Sequence, residues 1–255
     1  MSKSCICSSP DYKRGFINER WPGEKFKWEA IRHFQNNWDI KAPDFGAMFM
    51  EATKKTGLLL TARSYYPRKA ISDFSKVDPD ATRQLFAHLF DESRELTERL
   101  TQAESTAREL LKKCERSEWK QNYQKMFALS TYLWLRYPDR YFIYKYGVCR
   151  ALAKALDSDF SPTMGDHFED NVAYLEFYDE VRKVLAADAE LDGMLKSVLT
   201  KECHPDPKRV TLTVDFAVFV EGRMNAKASL ETTSSQTNPW FPSLEKYTPG
   251  LTVEQ

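Results

Sequence analysis

Two short segments of this sequence interleave aromatic side chains with positively charged ones. The first runs from Tyr65 to Lys69 and the second from Arg140 to Lys145. Aromatic faces stack on exposed nucleobases at about 1–3 kcal/mol per base, and Arg and Lys contact phosphates, so both segments are typical of nucleic-acid binding. The candidate DNA-binding residues are Tyr65, Tyr66, Arg68, Lys69, Arg140, Tyr141, Tyr144 and Lys145.

The same pattern also has a purely structural interpretation. Pro67 lies inside the first segment, and Pro138 lies just before the second. Aromatic rings beside a proline turn often pack a junction between helices, while the neighbouring cations are simply solvated. The pattern alone leaves both interpretations open.

The sequence lacks the short motifs of several common catalytic and nucleotide-binding sites. It contains no G-x-x-x-x-G-K-[ST], no G-x-G-x-x-G, no H-E-x-x-H and no G-x-S-x-G. Pro10-Asp11 followed by Glu24 to Lys27 has the wrong spacing for a metal-dependent nuclease. The four histidines are far apart in the sequence: His33, His88, His167 and His204. We therefore expect no catalytic residue, no enzyme activity in this chain and no cofactor.

The five cysteines do not form a metal-binding or disulfide pattern. Cys5 and Cys7 are separated by one residue, and Cys203 is followed directly by His204. Structural zinc sites use pairs of ligands with two to four residues between them, which this set does not match. We expect no metal site and reduced thiols.

Composition predicts a globular chain of ordinary type. The 255 residues include 42% hydrophobic residues, with 37 Lys and Arg balanced by 37 Asp and Glu. Zero net charge excludes a uniformly basic coat for nucleic acid but not one basic face. The chain contains no apolar run of about twenty residues, so no membrane span is expected. The N-terminus lacks the apolar core of a signal peptide, which favours a cytoplasmic protein.

The periodicity of the apolar residues predicts an all-α fold: a multi-helix globular domain with a long helical hairpin. Asp78-Pro79-Asp80 is a strong helix start, since Asp caps the first turn and Pro suits its first position. We predict one helix from there to about residue 113, paired with a second over residues 124–136. The apolar stripe of the long helix comprises Leu85, Leu89, Leu96, Leu100, Ala103, Ala107 and Leu110.

Several other regions are assigned from pattern and composition. Residues 210–220 alternate like a strand but also fit a helix, and the preceding Asp206-Pro207 decides for a helix. We expect a flexible lead over residues 1–20, a helical module over 21–224 and a polar linker over 225–239. Residues 240–255 read as the start of a further domain, because Thr252 and Gln255 match a capping box.

The chain resembles the N-terminal region of McrB-like AAA+ proteins, the motor subunits of modification-dependent restriction systems. The resemblance extends over nearly the whole length, although no segment in it is a catalytic signature. The segments that carry it are 27–35, 55–59, 66–68, 89–93, 132–141, 203–207, 240–242 and 247–252.

The resemblance implies a role for the chain in a restriction or phage-defence system. Such proteins carry an AAA+ motor downstream in the same chain and act with a separate nuclease subunit. Many of their N-terminal regions recognise DNA, some with a modified base. No binding residue of the family is transferred to a position of this sequence.

Two functional hypotheses follow from these observations. The first is a non-catalytic DNA-binding, target-recognition module. The second is a module for protein–protein interaction, assembly or invader sensing in the same defence system. An exposed stripe between Leu85 and Leu110 would favour the second hypothesis, and a buried stripe would remove that support.

Overall fold

The computed structural model describes residues 10–62, 64–114, 120–165 and 168–235, and over these residues the protein is all-α, as predicted. The α-helices are α1 (Pro10–Gly15), α2 (Trp21–Glu24), α3 (Phe26–Asn37), α4 (Phe45–Ala52), α5 (Pro67–Val77), α6 (Pro79–Leu89), α7 (Leu96–Lys113), α8 (Met126–Arg136), α9 (Tyr146–Ala155), α10 (Phe168–Val172), α11 (Tyr174–Ala186), α12 (Ala189–Val198) and α13 (Val210–Ser235). A π-helix (Phe16–Arg20) and a 3₁₀ helix (Lys54–Leu59) complete them. None of the described helices is both long and apolar enough to cross a membrane.

The predicted long helix over residues 78–113 is in fact two helices, α6 and α7. Asp78 caps α6 as expected, since its side chain accepts the Ala81 N–H at 2.9 Å. The chain then turns at Asp91, whose carboxylate accepts both the N–H and the hydroxyl of Ser93. Arg99 donates to the last carbonyl of α6, that of Leu89, at 3.0 Å. Short polar side chains that bond to nearby backbone favour a turn over a continuous helix, which explains the difference.

The hairpin is therefore formed by α6 and α7, which pack against each other. Their apolar stripe is buried: Leu85, Leu89, Leu100, Ala103, Ala107 and Leu110 are at most 1% exposed. Leu96 is partly buried and packs against the same core. The stripe thus offers no surface to a partner, and this support for the interaction hypothesis is removed.

The predicted flexible lead is wrong from residue 10 onward. Pro10–Arg20 is helical, and Tyr12 and Phe16 are each 1% exposed. The Tyr12 ring packs edge-on against Phe216 of α13 at 5.2 Å. Because that contact joins residues about 200 positions apart, local hydrophobic pattern did not predict it. Residues 1–9 lie outside the described part of the chain.

Residues 210–220 are helical, as predicted, and belong to α13. The side chain of Asp206 caps this helix by accepting the N–H groups of Thr211 and Leu212 at 3.1 and 2.9 Å. The strand-like alternation arises because the first turns of α13 are buried on nearly all sides. The helix extends to Ser235, where we expected a linker from residue 225. Residues 236–255, including the predicted further domain, lie outside the described residues.

Helix α13 is the element around which the candidate site is built. It packs against α9 and α11, while α3 packs against α8 and against the 3₁₀ helix. Buried Tyr178 of α11 and Val214 of α13 belong to one continuous apolar core. Tyr65 of the first aromatic–basic segment and Lys145 of the second lie beside the same side of α13, with Val214 and Val218.

Candidate functional site

The aromatic residues of the second segment are buried, which differs from the exposed surface expected for base stacking. The Tyr141 hydroxyl donates to Glu92 at 3.1 Å and accepts from Arg99 at 2.7 Å. The Tyr144 hydroxyl donates to the Thr163 carbonyl at 2.7 Å. Both rings are at most 6% exposed, so neither presents a face to a nucleobase.

The cations of the first segment are engaged within the protein. Arg68 donates to the Met50 carbonyl at 2.5 Å and to the Thr53 hydroxyl at 3.0 Å. Burial lowers the pKa of the Arg68 guanidinium. Lys69 is exposed but forms an ion pair with Asp73 at 2.9 Å. Arg68 is therefore a structural residue rather than a free phosphate contact.

The cations of the second segment differ from each other in how firmly they are paired. Arg140 is exposed and lies 2.7 Å from the Glu92 carboxylate. Lys145 is also exposed, and its only ion pair among the described residues, with Glu221, is longer at 3.5 Å. Lys145 is thus the least committed cation of the predicted set.

The aromatic residues of the first segment pack against α8 and the loop before it. Tyr65 stacks on Phe127 with ring centres 5.5 Å apart, and Tyr66 meets Tyr123 edge-on at 6.0 Å. The Tyr65 hydroxyl is buried and has no hydrogen-bond partner within the described ranges. Burial raises the pKa of Tyr65, so the hydroxyl keeps its proton and is a donor.

An open cleft of about 580 Å³ brings together one candidate DNA-binding residue of each segment, Tyr65 and Lys145. Its walls come from α2, α3, the 3₁₀ helix, α8, α9, α11 and α13. Most of the lining side chains are apolar or aromatic. The charged ones are Glu24, Lys27 and Lys145. Tyr66, Arg68, Lys69, Arg140, Tyr141 and Tyr144 do not line it.

A fully buried carboxylate, that of Asp215, lies next to the cleft in the turn of α13 that contributes Val214. It accepts hydrogen bonds from Tyr12 at 2.8 Å, from Lys27 at 2.7 Å and from Arg20 at 2.5 and 2.9 Å. Burial alone would raise the pKa of Asp215, but the charges of Lys27 and Arg20 hold it below its ordinary value. We call Tyr12, Arg20, Lys27 and Asp215 the Asp215 cluster.

Helix α9 starts at the mouth of the cleft and carries a basic exposed face. Tyr146, Arg150 and Lys154 follow each other at intervals of four residues, and both cations are exposed. The Arg150 guanidinium lies over the Tyr146 ring at 5.6 Å. Neither Arg150 nor Lys154 has a carboxylate partner among the described residues. We call Lys145, Tyr146, Arg150 and Lys154 the α9 face.

Sequence reasoning missed Tyr146, Arg150 and Lys154, although a signal was present. No acidic residue occurs between Asp139 and Asp157, while four basic residues do. That run of one charge sign, combined with helical spacing of the bases, indicates a basic helix face. The pattern of adjacent aromatic and basic residues favoured Tyr141 and Tyr144 instead, which the fold buries.

A group of Asp139, His204 and Asp206 has ligand atoms within 4.8 Å of one another. Its hydrogen bonds argue against metal binding. The His204 Nδ1 accepts the Asp206 N–H at 3.1 Å, which assigns the proton to the other ring nitrogen and leaves no free imidazole lone pair. Both oxygens of Asp206 already accept backbone N–H groups of α13. We assign the group to capping of α13.

Comparison with models of protein families, with curated proteins and with solved structures gave no match to this chain. The resemblance to McrB-like proteins therefore stays a prediction. The functional argument has to rest on the geometry of the cleft and of the α9 face.

Proposed function

We propose that this chain is a non-catalytic DNA-binding module that recognises its target through the α9 face. The observation that carries the proposal is the pair Arg150 and Lys154, two exposed cations without a carboxylate partner among the described residues. Cations that are free of internal ion pairs are available to phosphates, whose neutralisation supplies most of the non-specific affinity for DNA.

The arrangement of the α9 face suits a DNA backbone. One turn of an α-helix rises about 5.4 Å, so Tyr146, Arg150 and Lys154 form a short row along one side of the helix. The contact between Arg150 and the Tyr146 ring restricts the guanidinium and reduces the entropy lost on binding. Lys145 extends the row toward the cleft.

The role in a larger system rests on the resemblance. A recognition module needs no catalytic residue of its own if an AAA+ motor in the same chain and a separate nuclease subunit do the chemistry. Recognition of a modified base belongs to the same proposal. Phosphate contacts position a protein on DNA, whereas contacts to the bases select the sequence or modification.

The test is a fluorescence-anisotropy titration of the chain with matched unmodified, 5-methylcytosine and 5-hydroxymethylcytosine duplexes at two salt concentrations. We expect salt-sensitive binding that the double variant Arg150→Ala/Lys154→Ala weakens at least about tenfold at low salt. Removal of two phosphate contacts should also reduce the slope of log K against log salt by roughly 1.8.

The matched control is Lys112→Ala/Lys113→Ala, which removes the same charge from two exposed lysines that are each paired with a carboxylate of their own, Glu109 and Asp78. It should change the affinity by less than about twofold, since those lysines are neutralised internally. Equal losses in the two double variants would show a general charge effect and contradict the proposed role of α9. No binding of wild-type protein to any duplex at low salt would overturn the function itself.

A second candidate function is the interaction with a protein partner, and one observation favours it. Leu58 lines the cleft, yet it is 77% exposed, which is unusual for a large apolar side chain. If DNA binding fails, cross-linking of the full-length protein with Leu58→Ser as the negative variant tests this function. Loss of a specific cross-link in the variant would support it.

A further inference from the structure

The walls of the cleft are mostly apolar and come from several packed helices. The volume of about 580 Å³ falls within the roughly 300–1,000 Å³ typical of small-molecule sites. Phe127, Val214 and Val218 are among the apolar side chains that line it. Such walls bind the hydrocarbon surface of a ligand through burial of apolar area.

The charged residues of the walls are paired within the protein. Lys27 donates to Asp215 at 2.7 Å and lies 2.7 Å from the Glu24 carboxylate. Lys145 donates to Glu221 at 3.5 Å. A charged ligand therefore meets no unpaired charge of opposite sign in the cleft, although it has to give up part of its own hydration to enter.

The two tyrosines of the walls contribute ring carbons rather than accessible hydroxyls. The Tyr65 hydroxyl is buried, so a ligand in the open cleft does not reach it. The Tyr178 hydroxyl accepts from the Cys149 thiol at 3.5 Å, and Tyr178 is 0% exposed. A polar head group consequently gains no hydrogen bond from either tyrosine.

The exposed apolar surface near the cleft is small, which favours a small molecule over a protein as the ligand. The large apolar side chains that are exposed in the described part of the chain are Ile17, Leu58, Val77 and Met164. Of these, only Leu58 lines the cleft. A stable protein interface covers roughly 800 Å² per partner around an apolar centre, whereas a small molecule needs only the concave walls.

We infer that the cleft binds an uncharged, predominantly hydrocarbon small molecule against Phe127, Val214 and Val218, with Leu58 at its edge. The paired charges select against an ionised ligand, because they offer it no compensation for lost hydration. The inference goes beyond the proposed function, since it concerns a second ligand, and it does not require DNA.

The test is a fluorescence titration of the full chain with 1-anilinonaphthalene, an uncharged aromatic probe whose emission increases in apolar surroundings. The sulfonated form of the same probe, 8-anilinonaphthalene-1-sulfonate, is titrated in parallel because it adds one negative charge. We expect saturable binding of one uncharged probe per chain and at least about tenfold weaker binding of the sulfonate.

Two variants and a control locate the probe. Leu58→Asp places a charge at the edge of the cleft, on a residue that is 77% exposed, and should weaken binding of the uncharged probe several-fold. Val218→Trp, at a half-buried wall position, should abolish binding by filling the cleft. Met164→Asp is the matched control, since Met164 is 68% exposed and lies outside the lining, and it should leave the affinity unchanged. A melting curve verifies that each variant is folded, and Leu58→Asp keeps the test decisive if Val218→Trp does not fold.

Three results would overturn the inference. Wild-type protein that shows no saturable binding of 1-anilinonaphthalene would exclude the ligand class. Equal affinities for the two probes would show that the cleft does not select an uncharged ligand. Unchanged binding by the folded cleft variants would place the probe elsewhere. Because DNA is absent from the experiment, a positive result stands even if the anisotropy titration is flat, and a negative result leaves the α9 proposal intact.

Discussion

The Asp215 cluster and the cleft are neighbours that share Lys27, but they differ in how their polar groups are paired. Every donor of the cluster bonds to one buried carboxylate, and the Asp215 side chain is 0% exposed. In the cleft, by contrast, the Tyr65 hydroxyl has no partner among the described residues and Lys145 has only a long ion pair there. The cluster joins the N-terminal helices to α13, whereas the cleft is open.

This difference separates a fully paired structural cluster from an open apolar cleft. Buried polar groups that are fully paired stabilise one arrangement, and removal of a single member leaves the others uncompensated. An unpaired buried hydroxyl such as that of Tyr65 gives no such stabilisation and instead costs free energy of folding. Sequence motifs do not reveal this difference, because Lys27 and Lys145 are both single lysines beside aromatic residues.

The largest effect is expected from removal of the carboxylate at the centre of the cluster. Asp215→Ala leaves buried Lys27 and half-buried Arg20 with only the partly exposed Glu24 as a carboxylate partner, and it should lower the free energy of unfolding by about 3–5 kcal/mol, measured by urea denaturation. Asp215→Asn keeps an acceptor and should cost less. Glu98→Ala, which removes a 56% exposed carboxylate from a surface ion pair, is the control and should change stability by less than about 0.5 kcal/mol. Similar losses of unfolding free energy in the Asp215→Ala and Glu98→Ala variants would show that the buried cluster stabilises the protein no more than a surface ion pair does.

Asp206 is a second buried carboxylate to compare with Asp215. It is equally buried, but its side chain accepts hydrogen bonds only from uncharged donors. Burial raises its pKa to about 6, against an ordinary value of 3.8. A pKa that is higher in the folded state means that protonation favours folding. The contribution of this group is present below about pH 4 and is lost as the pH rises through 6, a change of roughly 3 kcal/mol.

The variant Asp206→Asn removes this titration. The free energy of unfolding of wild-type minus variant, measured by urea denaturation between pH 4 and pH 7, should therefore decrease as the pH rises. The other carboxylates titrate in both proteins and cancel from the difference. Parallel stability curves would show that the pKa of Asp206 is not raised.

The hydroxyls of Tyr12 and Tyr65 allow a direct comparison of the Asp215 cluster with the cleft. Tyr12→Phe removes a 2.8 Å hydrogen bond to the buried Asp215 carboxylate and should cost about 1.5–3 kcal/mol. Tyr65→Phe removes a hydroxyl without a described partner and should leave the stability of the free protein unchanged or raise it by up to about 1 kcal/mol. Thermal melts of both variants without ligand are sufficient. A loss at Tyr65 as large as that at Tyr12 would mean that the hydroxyl is bonded.

The smallest effect is expected at Arg140, which the sequence pattern placed among the DNA contacts. Its guanidinium is 2.7 Å from Glu92, so an ion pair has to break before a phosphate binds. Arg140→Ala should weaken DNA binding by less than about twofold, whereas Arg150→Ala should weaken it several-fold in the same anisotropy assay. The reverse order would restore the second aromatic–basic segment as the DNA contact and exclude the α9 face.

The sequence by itself determined the helices and many of their ends. Asp78 and Pro79 start α6 where the pattern placed it, and Asp206 caps α13. These features are predictable because a cap and a helical period involve residues within a few positions of each other. The break between α6 and α7 also depends on neighbouring residues, Asp91 and Ser93. The apolar stripe continues across it in the sequence, however, and therefore predicted a single helix.

Only the tertiary structure decided which polar side chains lack an internal partner and which aromatic rings are exposed. Tyr12 and Asp215 are 203 positions apart, and their hydrogen bond anchors a helical segment that local pattern described as a flexible lead. Tyr141 is enclosed by Arg99 and Glu92, more than forty positions earlier. Pairing depends on which distant side chains the packed core brings together, and no local pattern contains that information. For this reason the candidate site is assigned to the cleft and the α9 face rather than to the aromatic–basic segments beside them.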